Sequence, residues 1–139
     1  MNVKLNKSQK IQVNRSEDVF KILKQILLAE SIVDRNKEHL WVIGLTNSHV
    51  IKYIELVSLG TLNATLVEPM EVFRLAVMKG VKRIMVAHNH PSENLEPSTD
   101  DLAINKRLKA SGEILGIKLL DQLIISETRH ISFVEDGIF

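Results

Sequence analysis

Cysteine is absent from this 139-residue chain. Its absence excludes disulfide bonds, thiolate metal ligands and a cysteine nucleophile, so any metal ion must be held by nitrogen and oxygen atoms. It also fits a reducing compartment. A domain of this size buries about 68–70% of the surface of its unfolded chain, which is enough for a stable core without cross-links. We therefore expect a single domain over residues 1–139.

Long apolar runs and an excess of one charge are missing too. No stretch approaches the 18 or so apolar residues of a membrane span, and the N-terminus lacks the apolar region of a signal peptide. These absences predict a cytoplasmic protein that does not bind membranes. The net charge of +1 argues against a strongly basic nucleic-acid surface.

The spacing of apolar residues along the chain predicts helices interspersed with strands. Helices are predicted from Ser16 to about residues 30–34, from Pro69 to Gly80 and from Ser98 to about Gly112, with the two serines as N-caps. Strands are predicted over residues 38–46, 50–59, 81–87, 117–125 and 131–134, after a short arm or strand at 1–15. This order favours an α/β (α+β) fold in which helices pack on a central mixed sheet.

Two histidines stand two residues apart where a predicted strand meets a polar loop. On an extended segment, His88 and His90 face the same side with Cα atoms roughly 7 Å apart, and Pro91 keeps His90 extended. Asp101, on the first turn of the next helix, supplies a carboxylate if the loop folds back. Two histidines and one acid, with a fourth position for water, are typical of a catalytic zinc site.

The same residues also have structural explanations. Ser98-Thr-Asp-Asp101 matches a capping box, in which the serine and the acid satisfy each other's backbone N–H groups, and this role is compatible with a role in a site. The plain alternative for His88 and His90 is that they are surface or strand-end residues, as we expect for His39, His49 and His130, which have no partner at ligand spacing.

The spacing His88-x-His90, seven residues, Ser98, two residues, Asp101 resembles the JAMM motif of JAB/MPN metallopeptidases. The letters His-Asn-His-Pro-Ser resemble the RadC branch, bacterial proteins historically labelled as DNA repair proteins. Further similar segments cover nearly the whole chain: Ser16–Val19, Glu38–Leu40, Gly60–Thr61, Glu71–Ala76 and Leu120–Ile125. The resemblance implies a three-layer JAB/MPN sandwich, similar in outline to cytidine deaminases.

The resemblance also implies a role for each motif residue. His88, His90 and Asp101 would bind Zn²⁺, and Ser98 would donate a hydrogen bond to the oxygen of the tetrahedral intermediate. JAMM enzymes use an upstream glutamate at the start of an early strand, and Glu38 occupies the matching place. The implied activity is zinc-dependent hydrolysis of a peptide or isopeptide amide bond in a peptide or protein conjugate.

The assignment of Glu38 depends on the resemblance alone. Glu30, Glu55, Glu68 and Glu71 also lie upstream of the histidines. A solvated acid at a strand entrance is the plain alternative, because most acidic side chains are exposed.

Two departures from the RadC pattern matter. RadC proteins usually continue with Gly-Asp-Pro after His-Asn-His-Pro-Ser, whereas Glu93-Asn94-Leu95 follows here. Because glycine often serves a positive φ, we expect Asn94 to adopt that conformation one residue later. The helix-hairpin-helix region of full-length RadC proteins, the usual basis for proposing DNA binding, is also missing from this sequence.

Rival functions follow from the same family. A DNA-associated protein is one alternative, although the near-neutral charge argues against it. A non-catalytic interaction module is another, although such modules typically lack the histidine and aspartate ligands. A zinc deaminase with cysteine ligands is excluded. The sequence leaves homo-oligomer formation and the substrate open.

Overall fold

The computed structural model describes residues 1–60 and 67–139. In these ranges a short 3₁₀ helix (Lys7–Gln9) is followed by α1 (Ser16–Leu28), α2 (Ile32–Arg35), β1 (His39–Leu45), β2 (Ile51–Leu59), α3 (Pro69–Lys79), β3 (Arg83–Asn89), α4 (Thr99–Leu115), β4 (Lys118–Ile125) and β5 (His130–Ser132). Thr61, quoted above in the Gly60–Thr61 resemblance, lies outside the described residues. Among the helices of the described ranges, none is long and apolar enough to cross a membrane.

The strands form one mixed sheet in the order β2-β1-β3-β4-β5. β3 and β4 are parallel, and the other neighbours are antiparallel. β1 is buried along its whole length, which explains its continuous apolar sequence. The predicted α/β class with a central mixed sheet is confirmed.

Successive residues of β1 face opposite sides of the sheet and pack into two separate cores. Trp41 and Ile43 pack with α1. Leu40 and Val42 pack with residues of α3 and α4. One helix on one face and two on the other give the three layers that the resemblance implied.

The first 13 residues follow the outer edge of β2. Asn2 forms an isolated bridge with Glu55, and Gln12 forms another with Val50. An unpaired sheet edge invites pairing with other chains, so this segment covers an edge that would otherwise be exposed.

Ser16 is the first residue of α1 and not its N-cap, so that prediction was wrong. Asp18 accepts hydrogen bonds from the backbone N–H groups of Asn14 and Arg15, at 2.9 and 3.1 Å, and thereby closes the helix start. The Ser16 hydroxyl instead donates to Glu135, at 2.7 Å. The serine therefore ties α1 to the C-terminal segment.

Two helix ends differ from the prediction. α1 stops at Leu28, and a separate single turn, α2, follows it. α4 continues through Gly112 to Leu115 and ends at Gly116, which has a φ of 71°. A Cβ atom on Gly112 would lie 2.3 Å from the Ile117 carbonyl oxygen. Gly112 is therefore required by close packing and does not end the helix.

Candidate metal centre

The candidate site lies where the end of β3 meets the start of α4. His88 is held in the sheet between Leu40 of β1 and Ile124 of β4. The His90 backbone N–H extends this pairing by donating to the Ile125 carbonyl, at 2.9 Å. The sheet therefore fixes the backbone of both histidines.

Three side chains converge on one point. The Nε2 atoms of His88 and His90 are 3.2 Å apart. The Asp101 carboxylate lies 3.0 Å from His88 Nε2 and 3.1 Å from His90 Nε2. Ligands on a tetrahedron with bonds of about 2.0–2.1 Å lie about 3.3–3.4 Å apart. The three donors are thus spaced as one metal ion requires, and they form a group that could hold it.

Hydrogen bonds from the loop and helix orient these donors. His90 Nδ1 lies 2.7 Å from the Asn94 carbonyl oxygen, which can only accept, so Nδ1 carries the hydrogen. The Nε2 lone pair of a neutral His90 then points into the cluster. Asp101 accepts from the Ser98 backbone N–H at 2.8 Å, and Ser98 Oγ accepts from the Asp101 N–H at 3.0 Å. The predicted capping box is confirmed, and it also holds the carboxylate in place.

A positive charge at the centre of the cluster is favoured, because the ionised Asp101 carboxylate faces the two histidine rings. Burial of Asp101 opposes its ionisation, but the hydrogen bonds with His88 and His90 outweigh that effect and hold its pKa far below the usual range. The hydrogen bond with Asp101 raises the pKa of His90. If His90 were neutral and no cation were present, its Nε2 lone pair would face the Asp101 carboxylate. A proton or a metal ion relieves this repulsion, so the donor set fits a metal.

Stability should therefore depend on pH in opposite ways with and without metal. In chelator, the raised pKa of His90 means that the folded protein holds a proton more tightly than the unfolded chain. This contribution is complete below about pH 6.5 and is lost as the pH rises through the raised pKa. Zn²⁺ binding requires deprotonated ligands, so its stabilisation grows over the same window. Urea unfolding with chelator and with excess Zn²⁺ measures the two slopes, and parallel slopes would contradict the assignment.

Glu38 and Ser98 lie at the mouth of the cluster. Both line an open depression of about 470 Å³, together with His90 and Asp101 among other residues. Glu38 immediately precedes β1, and its charge contributes to the raised pKa of His90. Ser98 is exposed and its oxygen caps α4, which leaves its O–H free to rotate toward the depression. The structure thus brings all five predicted site residues to one place.

Glu93 itself takes the positive φ that was expected at Asn94, so that prediction was wrong. Its φ is 68°. Its carboxylate accepts from Thr128 Oγ1 at 3.0 Å, and its carbonyl accepts from the Arg129 side chain. These contacts with the β4–β5 turn hold the strained residue and leave the Asn94 carbonyl facing His90.

A pair of substitutions at Glu93 tests this strain. Both Glu93→Gly and Glu93→Ala remove the bond to Thr128, but only glycine adopts a positive φ without steric cost. Glu93→Gly should therefore be more stable than Glu93→Ala by about 1 kcal/mol, the reverse of the usual order. Chemical unfolding of the two variants measures the difference. Equal stability, or a more stable alanine variant, would show that residue 93 is unstrained.

His39 was expected to be a surface or strand-end residue without a partner at ligand spacing. It is the first residue of β1, but it is fully buried and not on the surface. Its Nε2 lies 2.5 Å from the Glu30 carboxylate, and its ring stacks on Trp41. Its Nδ1 donates to the Lys37 carbonyl at 2.7 Å and approaches Asn89 Oδ1 at 3.2 Å. Sequence reasoning missed this network because Asn89 is 50 residues from His39, and because the contact with Glu30 crosses the turn between α1 and β1. The apolar strand that follows His39 was the only signal of its burial.

Comparison with known proteins agrees with the motif. A family model described as a RadC-like JAB domain matches residues 13–138. A UPF0758 protein of Pelodictyon phaeoclathratiforme is 41% identical over 133 residues, 96% of this chain and 57% of that protein. A UPF0758 protein of Flavobacterium johnsoniae is 39% identical over 128 residues, 92% of this chain and 54% of that protein. The chain spans about half the length of the curated relatives it matches.

Proposed function

Because this chain belongs to the RadC-like JAB domain family, we propose that it is a zinc-dependent hydrolase of peptide or isopeptide amide bonds. One observation carries the proposal. The Nε2 atoms of His88 and His90 and the Asp101 carboxylate lie within 3.0–3.2 Å of one another at the edge of an open depression. Such a cluster leaves room for water and substrate, as a catalytic site requires.

The donor set favours zinc as the metal. Two imidazoles and one carboxylate are a known ligand combination for catalytic Zn²⁺, whereas Mg²⁺ and Ca²⁺ prefer oxygen ligands. When bound, Zn²⁺ polarises a carbonyl oxygen and lowers the pKa of a coordinated water to about 7.

The chain's own residues then have distinct tasks. His88, His90 and Asp101 hold the metal. Glu38 accepts a proton at its carboxylate and returns it to the leaving nitrogen, a general acid–base role. Ser98 donates a hydrogen bond to the carbonyl oxygen as negative charge develops there. Removing one such donor typically costs about 10²–10³ in rate.

Metal analysis followed by a cleavage screen tests the proposal. Untagged protein is purified, its zinc content is measured, and a peptide library is incubated with wild type and with Glu38→Gln. We expect stoichiometric zinc and cleavage that depends on Glu38. Protein that holds no zinc with its native ligands intact would overturn the proposal.

The two rival functions give different results in companion measurements. A DNA-associated protein would shift duplex or branched DNA in a salt-dependent way. A non-catalytic interaction module would bind zinc without cleaving any peptide or conjugate. Neither rival is favoured by a specific feature of the site.

A further inference from the structure

Asn89, the residue between the two histidines, contacts the segment that carries Glu38. Its Oδ1 accepts a hydrogen bond from the His39 backbone N–H at 2.5 Å. Its Nδ2 donates to the carbonyls of Lys37 and Arg35, at 3.0 and 3.3 Å. One side chain thus binds the backbone on both sides of Glu38.

The orientation of Asn89 follows from strand geometry. Neighbouring residues of a strand point to opposite faces, so Asn89 points away from the cluster that His88 and His90 form. Asn89 is only 1% exposed. Its contacts are shielded from water and belong to the same network as the buried His39 ring. A buried amide with its hydrogen bonds satisfied is a rigid connection.

Within residues 1–60 and 67–139, the backbone on either side of Glu38 has few other hydrogen bonds to β3. The backbone pairing of β1 with β3 ends at Leu40 and His88. On the N-terminal side of Leu40, the bonds to β3 come from the Asn89 side chain. On the opposite side, the Glu38 carbonyl accepts from the Gly60 N–H at 2.9 Å, but that bond joins it to the end of β2 and not to the histidines.

We infer that Asn89 is a positioning residue that sets the location of Glu38 relative to the metal ligands. The inference rests on the proposed function, in which Glu38 moves a proton. The Asn89 side chain would then hold Glu38 at a fixed distance from His88 and His90, the two histidines on either side of Asn89 in the sequence. Displacements of about 1 Å at such a group can cost about 100-fold in rate, so the connection matters even though Asn89 touches neither metal nor substrate.

A purely structural role for Asn89 makes a different prediction. Loss of a buried amide would then lower overall stability without moving Glu38 in particular. Asn105 of α4 provides the matched control, because it is also buried and its side-chain oxygen has no hydrogen-bond partner among the described residues. Asn105→Ala removes a buried amide near Asp101 without touching the segment around Glu38.

Nuclear magnetic resonance with Co²⁺ as the probe tests the inference without a substrate. Co²⁺ displaces backbone amide resonances by an amount that depends on distance and direction from the ion. In Asn89→Ala we expect changed displacements at Glu38 and His39 but not at Val86. The His39 amide of the metal-free protein should exchange with solvent about tenfold faster or more, because it loses its acceptor. Zinc affinity should change little, because backbone pairing in the sheet holds His88 and His90 without the Asn89 side chain.

Each outcome decides the inference. Changed Glu38 and His39 displacements in Asn89→Ala, with unchanged ones in Asn105→Ala, support it. If Asn89→Ala leaves both the Co²⁺-induced displacements of the Glu38 and His39 resonances and the solvent exchange rate of the His39 amide unchanged, the inference is overturned. If Asn89→Ala does not fold, Asn89→Ser serves, since its short hydroxyl does not reach the Lys37 and Arg35 carbonyls and buries no charge, and it should still shift the Glu38 resonance. If wild type binds neither Zn²⁺ nor Co²⁺, the proposed function fails, whereas the exchange of the His39 amide still shows whether Asn89 holds this segment.

Discussion

Replacing His88 with alanine should reduce zinc affinity by more than about 100-fold. That factor is the upper end of the loss caused by removing a residue that merely supports a metal ligand, and His88 would be a ligand itself. Its Nε2 lies 3.2 Å from His90 Nε2 and 3.0 Å from the Asp101 carboxylate. Removing the ring leaves two donors and also deprives a buried carboxylate of one partner. Competition with a coloured chelator measures the affinity.

His49→Asn is the matched control for His88→Ala. His49 lies outside the cluster, in the turn between β1 and β2, and has a φ of 63°. Asparagine tolerates that conformation, so this variant removes a histidine with little strain and should bind zinc as wild type does. Equal zinc affinity of His88→Ala and His49→Asn would contradict the assignment of His88 as a ligand.

The same pair of variants should differ in how zinc affects folding. A ligand that binds only the folded state stabilises it by about 2.7 kcal/mol at 100 times its dissociation constant. Wild type and His49→Asn should gain about this amount in free energy of unfolding, and His88→Ala should gain almost nothing at the same zinc concentration. Urea unfolding with and without zinc measures the gain. A large gain in His88→Ala would show that zinc binds elsewhere.

Replacing Glu38 with glutamine should lower the hydrolysis rate by about 10²–10⁴-fold while zinc stays bound. Glutamine matches glutamate in size but cannot accept the proton. Zinc should be retained because the three converging donors do not include Glu38. The rate is measured on the best substrate from the peptide screen, and the zinc content is measured on the same samples.

Glu71→Gln is the matched control for Glu38→Gln. Glu71 also lies upstream of the histidines, but it is on α3, where it pairs with Arg74. Its replacement should leave the hydrolysis rate within about twofold of wild type, as expected of a surface substitution away from the site. If Glu38→Gln retained full activity, another group would have to move the proton, and the choice of Glu38 among the upstream glutamates would be wrong.

Much of the fold could be predicted because local signals agreed with it. Pro69 starts α3, Gly80 ends it with a φ of 66°, and Ser98 caps α4. The strands were recognisable because they are short and apolar, which is typical of strands buried on both faces. The errors occurred where a distant contact overruled a local preference. Ser16 does not cap α1, because its hydroxyl binds Glu135. Gly112 does not end α4, because its lack of a side chain allows close packing against Ile117.

The candidate site divides in the same way. The spacing of His88, His90, Ser98 and Asp101 is a local feature, because one strand end, one loop and one helix start carry all four residues. It was therefore readable from the letters alone, and it identified the family. The orientation of the donors was not readable. It depends on the backbone of Glu93 at a positive φ, which no sequence rule assigns to glutamate.

The sequence alone thus determined the fold class, the family and the four residues of the motif, since short-range spacing and apolar pattern encode them. Residue spacing did not distinguish Glu38 from the other upstream acids, and only the family resemblance pointed to it. The tertiary structure placed Glu38 beside the histidines and showed what holds it there. Glu38 is 50 residues from His88, and it reaches the cluster because β1 pairs with β3. The hydrogen bonds of Asn89 to the segment around Glu38 depend on the same pairing. Such contacts join residues far apart in the chain, and their positions follow from the register of the sheet, not from local preference.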